Sequence, residues 1–93
     1  MTAAISILSA RPSASEARVI GPVGAKNAGW VTGHLGELEG DITLDCSRLQ
    51  LADARGAHAL VEFGRRLERH GRRLVLRGLP SAGHRLIERI ISA

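Results

Sequence analysis

Aromatic residues are almost missing from this chain of 93 residues: Trp30 and Phe63 stand alone, and there is no tyrosine. A core made from such a sequence must be assembled from Leu, Ile, Val and Ala. The same shortage removes the stacking platforms on which single-stranded bases are usually held. Cysteine is equally scarce. The single Cys46 excludes an internal disulfide and fits a reducing compartment. No apolar run approaches the roughly 18 residues that a membrane span requires, and residues 1–10 carry no basic stretch ahead of their apolar part, which argues against a leader peptide. The expectation is a cytoplasmic protein that does not span a membrane.

What remains is enough for one domain, residues 1–93, and too little for two. With 44% hydrophobic residues the chain is not of the disordered class. Its charge is unevenly spread. Residues 1–46 hold three basic and five acidic side chains, net −2, whereas residues 47–93 hold ten basic and four acidic ones, net +6. Arg65, Arg66, Arg69, Arg72, Arg73 and Arg77 crowd together. A solvated, Arg-rich helix end accounts for them more simply than a nucleic-acid surface does, since a charge run alone is a weak motif.

Along the chain, Ile5 to Leu8 alternates like a short strand, residues 11–15 are turn material, and Arg18 to Val23 is again extended, ending near Pro22. Together these predict an N-terminal hairpin. Ala28, Val31, Leu35 and Leu38 recur at helical spacing within residues 25–38, but Gly29, Gly33 and Gly36 each weaken that helix by roughly 1 kcal/mol, so it should be short or mobile.

The second half is more regular. Residues 41–46 form a strand with Ile42, Leu44 and Cys46 on one face, followed by a loop over residues 47–52. Asp53 is placed to cap a helix over residues 54–70, whose buried face is Gly56, Leu60, Phe63, Gly64 and Leu67, flanked by Ala57 and Val61. Gly71 stops it. Residues 73–77 read as a strand covered on both faces, and Leu86, Ile87, Ile90 and Ile91 as the buried stripe of a last helix. Strand, helix and strand make a βαβ unit, which requires its two strands to be parallel.

This ordered series resembles the STAS family (sulphate transporter and anti-sigma factor antagonist). Asp41-Ile42-Thr43-Leu44-Asp45-Cys46-Ser47 is similar to the family's central strand, and Asp53-Ala54-Arg55-Gly56 takes the place of its Asp-Ser-Ser-Gly turn. Residues 57–60 resemble the start of its second helix, residues 71–76 its next strand and residues 79–91 its terminal helix. The resemblance implies an α/β fold, a single STAS-like domain with a mixed β-sheet of about four strands packed with about three helices. It also implies a non-enzymatic module that binds another protein through the start of the helix. In the family's anti-sigma antagonists a serine in that turn is phosphorylated. Here Ala54 and Arg55 replace both serines, so no hydroxyl is available and phosphorylation at this turn is excluded.

The expected partner-binding residues are therefore Asp53, Ala54, Arg55, Gly56 and His58, with Ser47 on the preceding loop. Asp53 fits a helix cap better than a partner contact, and Gly56 fits close packing. Two partners compete: an anti-sigma kinase-like protein, or the ATPase of an ABC-type phospholipid transport system, whose small STAS subunit the chain also resembles. Nucleic acid is the weaker alternative. No metal or cofactor is expected, because His34, His58, His70 and His84 share no ligand spacing. No catalytic set is expected either. Asp45, Asp53 and His58 lack a nucleophile, Ser47 and Ser81 lack an activating partner, residues 21–24 lack the P-loop ending, and Cys46 fits a small buried hydrophobe.

Overall fold

The computed structural model describes residues 3–92; Met1, Thr2 and Ala93 lie outside, and with them the first two residues of the segment weighed as a leader. The elements follow in the order β1 (Ala4–Ala10), β2 (Ala14–Val23), α1 (Ala28–Leu35), β3 (Asp41–Leu51), α2 (Ala54–Arg69), β4 (Leu74–Arg77) and α3 (Ser81–Ser92). The four strands lie side by side in chain order. β1 and β2 are antiparallel, whereas β2, β3 and β4 are parallel. The expected hairpin, βαβ unit and mixed sheet are all present.

Alternation along the strands decides where the core lies. Ala17 and Val19 of β2 and Ile42, Leu44 and Cys46 of β3 are fully buried on one face, against Leu60, Phe63 and Leu67 of α2 and Val31 and Leu35 of α1. Among the described residues the other face carries no helix. It holds Glu16, Arg18, Thr43, Asp45, Val75 and Arg77, all exposed or half-buried, with Arg18 Nε donating to Asp45 Oδ2 at 2.8 Å. Such one-sided burial is what a helix stripe and an alternating strand require of each other.

Several sequence expectations are corrected. The loop over residues 47–52 is strand as far as Leu51. The pairing steps from Arg18↔Asp45 to Ile20↔Arg48, so β3 carries one extra residue there, a bulge. Ser47 and Arg48 are both exposed, and burial resumes at Leu49 in the opposite phase. A period of two read straight through fails at that point, which is why the strand looked finished. β4 is covered on one face, not two: it is the sheet edge, and its Val75 is 42% exposed. Ile91 is 60% exposed rather than buried, and the place it was given in the α3 stripe falls to Gly83, packed on Leu79 and Leu51. β2 begins at Ala14, so the hairpin turn is only residues 11–13. α1 is short, as its glycines require, and keeps Ala28, Val31 and Leu35 buried.

α2 ends as expected. Gly71 has a φ of +71°, a conformation that costs glycine little, and the basic Arg66 and Arg69 sit in the last turn, where the helix dipole favours them.

Candidate functional site

The start of α2 is built around Asp53. Its backbone is extended, and its Oδ1 accepts from the Gly56 N–H at 2.9 Å, which makes it the cap. Its Oδ2 accepts from the Ala25 N–H at 3.1 Å, so the same carboxylate ties the helix to the loop before α1. These donors, Ala25 first and Gly56 second, hold the Asp53 carboxyl below its ordinary 3.8. Asn27 locks the loop from within: its Oδ1 accepts from the Gly24 N–H at 2.9 Å and its side-chain amide donates to Pro22 O at 2.8 Å.

Gly56 lies directly against the carbonyl of Val23, with no room for a Cβ. That carbonyl also accepts from the Ala52 N–H at 2.9 Å. Helix start, strand end and loop therefore meet backbone to backbone. Ala54, Arg55 and His58 are exposed on this rigid frame, and Gly56 and Ala57 are buried in it.

Ser47 is not part of this cluster. At the bulge its N–H and Oγ donate to Asp45 Oδ1 at 3.0 and 2.8 Å, and its neighbour across the fold is Gly78. With Arg18, these donors lower Asp45 from 3.8 to about 2. Cys46 beside it is fully buried, and burial followed by the nearby Asp45 charge pushes its thiol up to about 11.

The histidines are dispersed: His34 meets Trp30 edge-on at 4.8 Å, His84 Nε2 lies 2.9 Å from Glu88 Oε1, and His70 Nδ1 lies 2.9 Å from Arg66 O. Among the described residues no three His, Cys, Asp or Glu side chains converge as a metal site. The arginine run disperses too. Arg72 reaches away to Gly40 O and Leu38 O at 2.8 and 2.6 Å, and Arg66 lies over the Phe63 ring at 5.8 Å.

One residue escaped the sequence reading. Trp30 is half-exposed on the first turn of α1, next after the loop that Asp53 holds. Its position out of phase with Ala28, Val31 and Leu35 was the available sign.

This one-sheet, three-helix arrangement, with a helix started by an Asp-X-X-Gly turn, is matched by a family model. "Mlab, STAS domain" covers residues 30–90. The chain belongs to this STAS family. Among solved structures, the STAS domain of an antisigma-factor antagonist from Rhodobacter sphaeroides superposes with a TM-score of 0.69 at 16% identity, over 82% of this chain and 86% of that one. At that identity the likeness is one of fold. No curated protein matches the chain. In this STAS domain the turn where the family resemblance placed two serines is Ala54-Arg55, exposed and without a hydroxyl. Among the described residues no helix is long and apolar enough to cross a membrane.

Proposed function

We propose that this STAS domain is a non-enzymatic regulatory module of the anti-sigma antagonist type, which docks a protein partner on the start of α2. The observation that carries the reading is the Asp53 carboxylate holding both Ala25 and Gly56, since it fixes α1 and α2 into one preformed surface. On that surface Ala54, Arg55 and His58 are exposed, and the half-exposed Trp30, beside His34 on α1, joins them for a partner that also covers α1. Arg and Trp are the side chains most enriched at interface hot spots, and a preformed surface loses little entropy on docking. Ser47 would join only a partner that reaches around to the bulge. Because Ala54 and Arg55 cannot accept phosphate, docking here is constitutive with respect to phosphorylation at this turn.

The matched family carries the Mlab description rather than that of the antagonists, and this favours a second reading, a cytoplasmic accessory subunit that binds the ATPase of an ABC-type phospholipid transporter. Affinity capture from the source cell separates the two. A histidine-kinase-like anti-sigma protein supports the first reading and an ABC ATPase the second. In either case Arg55→Glu and Trp30→Ala should each reduce capture by about tenfold or more. Full capture by both variants would place docking elsewhere.

A further inference from the structure

We propose that the outer edge of β4 is a strand-addition site for an extended, acidic segment of a protein partner. This surface is separate from the start of α2: it borders the same helix from Leu60 to Glu68, about 8 to 20 Å along its axis from Arg55.

The geometry follows from the pairing. Among the described residues β4 has β3 on one side and no strand on the other. Arg73 O accepts from the Ile42 N–H at 2.8 Å, so Arg73, Val75 and Arg77 turn their backbone groups toward β3. The N–H and C=O groups of Leu74 and Leu76 therefore point outward along the free edge. Their side chains share the helix-covered face with Ile42 and Leu44, yet both are only half-buried. Beside them lies an apolar hollow of about 240 Å³ between α2 and α3, lined by Leu60, Val61, Gly64, Ile87 and Ile91. An added strand would lay alternate apolar side chains into that hollow and leave its other side chains next to Arg73, Val75 and Arg77 on the open face.

Charge selects the occupant. Among the described residues no carboxylate lies within ion-pair distance of Arg69, Arg73 or Arg77. Three acids border this edge: Asp41 accepts from the Arg73 backbone N–H at 3.0 Å, Asp45, in register with Arg77, is taken by Arg18 and Ser47, and Glu68 lies on α2. A strand with acidic residues on its outer face pairs with Arg73 and Arg77 across the ladder. A second copy of this chain supplies no acid for them: antiparallel pairing of two β4 strands about Val75 sets Arg73 opposite Arg77 twice, which is destabilising, and the registers about Leu74 or Leu76 set an arginine opposite Val75. The opposite edge of the sheet makes a poorer template. β1 pairs irregularly between Ile7 and Ser9 and carries no charged residue.

The test uses the full chain and two synthetic eight-residue peptides, one alternating valine with glutamate and one alternating valine with lysine. The glutamate peptide should bind about tenfold or more tightly than the lysine peptide, with a difference that shrinks in high salt. At saturation it should slow hydrogen exchange at the Leu74 and Leu76 amides. The Arg73→Glu/Arg77→Glu variant should reverse the preference, and Arg55→Glu should leave it unchanged, so this proposal and the α2 docking reading fail separately. Absence of binding at millimolar peptide, equal binding of both peptides, binding without protection of those two amides, or a protein dimer that itself protects them would each overturn it.

Discussion

The two ends of α2 are held by opposite means. At its start, backbone meets backbone: Gly56 presses on the Val23 carbonyl, and one carboxylate spans Ala25 and Gly56. At its far end, contact is made by long side chains and gaps remain. Arg72 reaches across to the carbonyls of Leu38 and Gly40, while Gly64 leaves Leu74 half-covered beside the hollow. Backbone contacts admit no adjustment, so the first end is a fixed surface whose chemistry can vary only through the outward side chains. The second end has an unpaired edge and room for atoms. Rigidity at one end and vacancy at the other suit different ways of meeting a partner.

The largest way to break this contrast is at the rigid end. Gly56→Ala forces a Cβ onto the Val23 carbonyl, and because both atoms belong to backbone, neither can swing away. Chemical denaturation should show a loss of about 3 kcal/mol or more, or no folded protein at all. A loss below about 1 kcal/mol would mean the start of α2 is no more rigid than its end. The next test is at the far end: Arg72→Ala removes two charge-assisted hydrogen bonds to carbonyls and should cost about 1.5–3 kcal/mol in the same assay. Arg72→Lys should not restore it, because one ammonium cannot reproduce the guanidinium fork.

Acid should probe the carboxylates of the rigid end and of the bulge. The folded protein lowers Asp53 and takes Asp45 from 3.8 to about 2. A depressed carboxyl stabilises the fold above its unfolded value, and that contribution is lost as pH falls from near 3.8 toward 2. The melting temperature should therefore fall across that window, and less steeply in Asp53→Asn. An equal slope in the variant would show that Asp53 does not tie the two segments. The smallest expected effect has the opposite sign. At Gly64 a Cβ would sit 3.5 Å from Leu74 Cδ2, an ordinary contact, so Gly64→Ala should stabilise by up to about 1 kcal/mol through helix propensity. Destabilisation there would show that the far end is as tightly packed as the start.

Much of this was legible in the residues. The stripe from Gly56 to Leu67 repeats at the helical period over about three turns, and both its cap at Asp53 and its stop at Gly71 carry local chemistry. The residues proposed for docking on α2 stand out in the sequence because their turn follows that cap. Ser47 was grouped with them because residues 47–52 looked like one loop. Only the pairing of β2 with β3 reveals the bulge that carries Ser47 toward Asp45 and Gly78 instead. Trp30 was counted among the aromatics but not placed on the surface, since a helix containing three glycines gives a weak phase.

The sequence by itself determined the elements that depend on near neighbours: the hairpin, the capped helix α2, the parallel βαβ order, and the absence of a hydroxyl at Ala54 and Arg55. Periodicity, caps and turns act within a few residues, so one pass along the chain exposes them. The tertiary structure decided which sheet face stays bare, where β3 bulges, and why Gly56 must be glycine. It also decided that β4 is a free edge and that Ile91 faces solvent. Each of these depends on a segment dozens of residues away, such as Val23 against Gly56 or Leu51 against Gly83. A contact of that kind exists only after the chain has closed on itself, and the local pattern on either side does not contain it.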